Sequence, residues 1–66
     1  MNLQRFLLYC NPDGTCSLKR EGDNAPPHRC ENLVDGVALA QDLKGEARMQ
    51  LTVYDPKGNI LLRSFA

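Results

Sequence analysis

Two short segments with the same turn chemistry constrain the fold of this 66-residue chain more than any other feature. They are residues 11–14, which read NPDG, and residues 55–58, which read DPKG. In each, Pro fixes φ at the second turn position, the Asn or Asp side chain can bond to the backbone ahead, and Gly can adopt the left-handed conformation. Because apolar runs flank both segments, each predicts a β-hairpin with a type I turn and a glycine bulge.

The flanking residues supply the strands of these hairpins. Residues 15–19 and 48–53 alternate apolar and polar side chains, which is the period expected of a half-buried strand. Residues 3–10 and 59–65 are apolar on both faces. Such strands are either central in a sheet or covered on their outer face.

The middle of the chain predicts a loop followed by one helix. Residues 21–30 include Pro26 and Pro27, which lack backbone donors and indicate a loop. From residue 31 to residue 44 the apolar period becomes helical, and Gly45 is a natural C-terminal cap. One helical stripe comprises Leu33, Val37, Ala40 and Lys44, with Val34, Ala38 and Leu43 beside it.

These elements predict a single small α+β domain over residues 1–66. The expected order is ββαββ, a two-layer domain in which a four-stranded antiparallel sheet of two hairpins packs on one helix. Three features accompany this layout: residues 20–22 (REG), the helix alanines Ala38 and Ala40, and residues 54–60 (YDPKGNI). With them, the chain resembles small bacterial families that are catalogued only as domains of unknown function. The resemblance implies the fold and no activity.

Charge and hydropathy narrow the classes of partner. Eight Lys and Arg residues balance eight Asp and Glu residues, and the basic ones are scattered along the chain. Since nucleic-acid binders usually carry a basic excess, the sequence argues against nucleic acid as a partner. The apolar run of residues 6–10 is too short to cross a bilayer, so we expect no membrane association and a cytoplasmic location.

Three cysteines allow three interpretations. Cys10 and Cys16 flank the first turn and are expected to lie opposite each other as small core thiols. A disulfide between them is a second possibility, although the cytoplasm disfavours it. The third is a zinc site, since Cys10, Cys16, His28 and Cys30 offer the three sulfurs and one nitrogen that zinc accepts. Their C-x5-C and H-x-C spacing is unlike that of zinc knuckles, so we expect no metal or other cofactor.

No catalytic motif is present in the sequence. His28, the one histidine, is expected to be a solvated loop residue. Ser17, Ser64 and Asp23 could pair with it only outside any recognised motif. The chain is therefore expected not to be an enzyme.

The second hairpin suggests a contact surface. If its alternating apolar residues face the helix, then Tyr54, Ile60 and Leu62 are expected to cluster on the other face of the sheet. An exposed apolar cluster there would mark an interface, unless residues 21–30 fold across it. The sequence thus predicts a non-enzymatic interaction module, a homodimer or a binder of another protein, in an accessory or regulatory role in a bacterium or its phage.

Overall fold

A computed structural model describes residues 3–65 as five strands and one helix. The elements are β1 (Leu3–Cys10), β2 (Cys16–Arg20), β3 (His28–Cys30), α1 (Leu33–Lys44), β4 (Arg48–Tyr54) and β5 (Ile60–Phe65). The strands form one sheet in the order β3-β2-β1-β4-β5. The central strands β1 and β4 run parallel, and every other neighbouring pair is antiparallel.

The domain is α+β, but the predicted four-stranded antiparallel sheet of two hairpins is wrong in two respects. First, residues 28–30, which were assigned to a loop, form a fifth strand in which Arg29 lies opposite Ser17 of β2. Second, the two hairpins join through the parallel pair of β1 and β4. A parallel neighbour needs a crossover connection, and α1 lies within that connection.

Both predicted hairpins form with the expected turn chemistry. The Asn11 N–H donates to the Thr15 carbonyl at 2.8 Å, and the Asp55 N–H donates to the Asn59 carbonyl at the same distance. Gly14 and Gly58 have φ of 91° and 89°, the left-handed conformation that only glycine adopts without strain.

Helix α1 begins at Leu33, after Asn32, whose Oδ1 accepts a 2.8 Å hydrogen bond from the Asp35 N–H. This is an N-terminal cap of the ordinary kind. Gly36 and Ala40 are the buried positions of the helix, and Val37 and Leu39 pack against the core while partly buried. The predicted stripe is therefore only partly right, since Val37 and Ala40 belong to the packed side but Leu33 is 38% exposed. Val34, which was predicted to lie beside the stripe, is 76% exposed.

The core lies between α1 and the helix-facing side of β1 to β4. Its buried apolar residues are Phe6, Leu8, Cys16, Leu18, Cys30, Ala40, Met49, Leu51 and Val53. The apolar strand β1 is central, as one of its two sequence interpretations required. Within residues 3–65, no helix has the length and apolar character needed to cross a membrane.

Candidate functional site

Strand β5 is the most unusual feature of the fold. It lies at one edge of the sheet, and all six of its residues are exposed. Its four large apolar side chains, Ile60, Leu61, Leu62 and Phe65, are 52%, 58%, 48% and 67% exposed. An edge strand also presents backbone N–H and C=O groups that no neighbouring strand pairs, so apolar surface and backbone hydrogen-bonding groups coincide here.

The three predicted interface residues lie in this region but on both faces of the sheet. Ile60 is opposite Tyr54, whereas Leu62 is opposite the core residue Val53 and therefore lies on the helix-facing side. Leu61 has no partner on β4, because the register shifts between Val53 and Tyr54. The expectation of a cluster on one face is therefore wrong, because the unpaired residue Leu61 places Ile60 and Leu62 on opposite faces of the sheet.

The helix-facing side of β5 is uncovered. Within residues 3–65, α1 contacts β1, β2, β3 and β4 but not β5. Loop residues 21–27 connect β2 to β3 at the opposite edge of the sheet, so they do not fold across the Ile60 and Leu62 region as the alternative interpretation required. Leu61 and Phe65, which the sequence analysis did not select, belong to the same exposed strand.

Tyr54 has a partner on the side of the sheet away from α1. Its ring stacks on that of Tyr9, with the ring centroids 4.8 Å apart and the planes 13° from parallel. The two residues are opposite each other in the parallel pair of β1 and β4. Tyr9 remains 39% exposed, so the stack is open to solvent.

The three cysteines form one row across β1, β2 and β3, as Cys10 is opposite Cys16 and Cys16 is opposite Cys30. The Sγ atoms of Cys10 and Cys16 are 3.8 Å apart, well beyond the disulfide bond length of about 2.05 Å, and all three thiols are free. Burial, reinforced by the Cys10 thiol, raises the pKa of Cys16 to about 11. Burial also raises the pKa of Cys30. The thiols of Cys16 and Cys30 are therefore protonated at neutral pH and are weak nucleophiles.

His28 does not join this row. It lies on β3 opposite Leu18, is exposed, and lines a shallow pocket with Arg20, Asp23 and Pro26. In the part of the chain that the structure describes, no three His, Cys, Asp or Glu side chains are grouped so as to hold a metal ion. Of the hypothetical zinc set, the structure thus places the three cysteines on neighbouring strands in one row and His28 outside that row.

His28 also has no candidate nucleophile beside it among the serines named from the sequence. Ser17 is opposite Arg29, so it lies on the other face of the sheet from His28. Ser64 is on β5, at the far edge of the sheet. Of those candidates, only Asp23 is near His28, and both belong to the wall of the same pocket.

Comparison of the chain with protein-family models, with curated proteins and with solved structures finds no match. The resemblance of residues 20–22 and 54–60 to small bacterial families stays a prediction.

Proposed function

We propose that this chain is a non-enzymatic protein-interaction module that forms a homodimer by pairing β5 with β5 of a second copy. The observation that carries the proposal is the exposure of all six residues of this edge strand. Soluble proteins usually protect a sheet edge with charge, proline, a short strand or a covering element. Over its six residues β5 has one charge, Arg63, and no proline.

The other edge of the same sheet shows the ordinary protection. Strand β3 has only three residues, and Pro26 and Pro27 precede it. Short strands and prolines limit the number of backbone groups that an incoming strand could pair. The contrast between the two edges supports β5 as the edge that is used for association.

A second copy suits β5 better than an arbitrary strand does. If two β5 strands pair antiparallel about Leu62, each Leu62 lies opposite its equivalent and each Arg63 lies opposite Leu61. No like charges face each other in this arrangement, and the two-fold symmetry is that of the commonest oligomers. The Leu62 side chains would meet on the helix-facing side, where α1 does not reach.

The test is the replacement of Leu62 by Lys. Leu62→Lys places two charges against each other at the centre of the dimer, so a folded monomer of 7.4 kDa is expected in place of a species of twice that mass. Native mass spectrometry over a concentration series measures the mass, and circular dichroism measures the fold. The matched control is Val34→Lys, which adds the same charge on the exposed side of α1 and should leave the dimer intact.

Two outcomes contradict the homodimer. The first is a wild-type protein that stays at the mass of one chain at about 100 μM, because a functional homodimer should form at that concentration. A different protein would then be the partner of β5. A Leu62→Lys protein that loses its circular dichroism signal would show that Leu62 is needed for the fold and would remove it from the interface.

The alternative function, a small zinc-binding domain that uses Cys10, Cys16, His28 and Cys30, has less support. Its three thiols form a row, but His28 is one row away, opposite Leu18. We propose a cytoplasmic location for the module, a reducing compartment in which its cysteines would stay free thiols. Metal analysis of protein purified without chelator separates the two functions, since the interaction module needs no zinc.

A further inference from the structure

The side of the sheet that faces away from α1 has an unusual charge distribution. We call this surface the open face, and it consists of the strand residues that alternate with the core residues. Five of the eight basic residues of the chain lie on it: Arg5, Lys19, Arg29, Arg48 and Arg63. Among residues 3–65, no Asp or Glu occupies a strand position of this face. A chain with no net charge therefore has one strongly basic side.

The nearest carboxylates lie at the rim of the open face. Asp13, in the first turn, forms a 3.3 Å salt bridge with Arg29. Glu21 follows β2, and its N–H donates to the Arg5 carbonyl. On the last strand, the Arg63 Nε donates to the Thr52 hydroxyl at 3.3 Å, which directs that guanidinium across the face. Most of the basic charge is therefore not neutralised within the sheet.

Aromatic rings lie among these cations. The stacked pair of Tyr9 and Tyr54 is on β1 and β4, two inner strands of the sheet. Phe65 is also on the open face, since it lies opposite Gln50 of β4, and it is 67% exposed.

Lys19 and Arg63 lie diagonally across from Tyr9 and Tyr54, because they are opposite Leu7 and Thr52. Arg5 and Arg48 lie farther along the same two strands as the tyrosines. A sheet face that presents both exposed rings and cations is suited to stack unpaired bases and to neutralise their phosphates.

We propose that the open face binds single-stranded nucleic acid. The bases stack on the rings of Tyr9 and Tyr54, and the phosphates contact Arg5, Lys19, Arg48 and Arg63. Stacking and phosphate contacts do not read the hydrogen-bonding edges of the bases, so we expect affinity for single strands with little preference for sequence.

Other occupants fit the open face less well. A second copy would bring two sets of cations together, which like-charge repulsion opposes. Duplex DNA is usually read by a helix or a two-stranded ribbon inserted into a groove, and the face of a five-stranded sheet offers neither. An acidic peptide would satisfy the cations but has no row of planar rings to stack on the tyrosines.

The intrinsic tyrosine fluorescence of the chain can report this binding. It has two tyrosines and no tryptophan, and both tyrosines form the proposed stacking site. Titration with oligouridylate and with oligothymidylate of about 12 nucleotides should therefore quench the intrinsic tyrosine fluorescence directly. Binding should weaken steeply with salt, with a logarithmic slope of about 0.7 for each phosphate contacted.

Paired charge variants locate the binding. Arg5→Gln with Arg48→Gln removes two cations from the open face, and we expect at least about a tenfold loss of affinity and a salt slope lower by about 1.4. Lys44→Gln with Lys57→Gln removes the same charge from the end of α1 and from the second turn. This control should bind almost as tightly as the wild type.

Ring variants test the stacking itself. Tyr9→Leu keeps an apolar side chain but removes the ring, and a loss of affinity of about fivefold to hundredfold is expected. Tyr9→Phe keeps the ring and should restore wild-type binding. Leu62→Lys leaves the open face unchanged and should still bind, so this proposal does not depend on the homodimer.

Four results would overturn the proposal. The first is the absence of quenching at about 100 μM protein in low salt, since even non-specific binding usually has a Kd of about 100 μM or less at physiological salt and tightens at low salt. The second is an equal loss of affinity in both charge pairs, which would assign binding to overall charge. The third is unchanged affinity in Tyr9→Leu. The fourth is equal or tighter binding of duplex DNA or polyglutamate, which would show that the open face recognises any polyanion.

Discussion

Gly36 shows how a single missing side chain determines the distance between helix and sheet. A Cβ at this position would lie 2.8 Å from Cδ1 of Leu8, which is completely buried. In an exposed helix, Gly→Ala stabilises by about 1 kcal/mol. Here overpacking costs about 1–3 kcal/mol, so Gly36→Ala should lower the free energy of unfolding by about 1 kcal/mol, as measured by urea denaturation.

Two comparison variants isolate the close contact at Gly36. Ala38→Gly, at an exposed position of the same helix, should cost about 1 kcal/mol through helix propensity alone. In a Leu8→Val background the offending methyl is gone, so Gly36→Ala should become neutral or stabilising relative to Leu8→Val alone. A Gly36→Ala protein more stable than the wild type would show that the helix has room to move away.

At the residue scale, the sequence predicts what depends on neighbours along the chain and misses what depends on register. The turn glycines Gly14 and Gly58 follow from local chemistry, and the structure has both at positive φ. Leu62 was expected beside Ile60 on one face, but the unpaired residue Leu61 changes the side on which Leu62 lies. A one-residue irregularity in a strand has no reliable signal in the apolar pattern.

At the scale of elements, the second turn has a built-in pH dependence. Asp55 Oδ1 accepts the N–H groups of Lys57 and Asn59 at 2.9 and 2.8 Å, and these bonds, that from Asn59 most of all, hold the pKa of Asp55 below its usual 3.8. Asp13 has a lowered pKa through the Thr15 hydroxyl and N–H in the first turn.

Because both pKa values are lower in the folded state, the unfolded chain takes up protons first as the pH falls. The contribution of the two carboxylates to stability is therefore present above pH 3.8 and is lost as the pH falls through their folded pKa values. The urea concentration at which half of the protein is unfolded should decrease as the pH is lowered from about 5 to about 2. The decrease should be smaller in the double variant Asp13→Ala with Asp55→Ala. The control Asp42→Ala, at an exposed position of α1, should follow the wild type, and an unchanged slope in the double variant would refute the assignment.

Strand β3 shows why the number of elements could not be derived from the sequence. Its three residues follow two prolines and have no apolar alternation long enough to indicate a strand. They become a strand because β2 offers an edge on which they pair. The parallel pairing of β1 with β4 is likewise set by tertiary packing, since residues 3–10 and 48–54 are far apart in the chain.

At the scale of the whole molecule, charge is a composition in the sequence but a distribution in the fold. Arg5, Lys19 and Arg48 are scattered in the chain, yet the register of three strands places them on one surface. The total charge, which disfavours nucleic acid as a partner, is the same whether the cations are dispersed or collected on one face. Only the pairing and register of the strands distinguish these two cases.

The basic open face has a counterpart on the helix side. Four carboxylates lie on α1 or next to its ends: Glu31, Asp35, Asp42 and Glu46. The helix side also has two cations, Arg20 and Lys44, but the four carboxylates outnumber them. The excess of cations on the open face and of carboxylates on the helix side should give the molecule an electric dipole moment directed across the sheet, although its net charge is zero.

A dipole of this kind orients the protein at any charged surface. At pH 6.5, near its isoelectric point, the chain should still be retained on a cation-exchange resin, with the open face towards the matrix. Two double variants have the same net charge: Arg5→Gln with Arg48→Gln, and Lys44→Gln with Lys57→Gln. If only net charge governed binding to the resin, both would elute at the same salt concentration. We expect the first to elute earlier, and simultaneous elution would show that the charges do not act as two opposed layers.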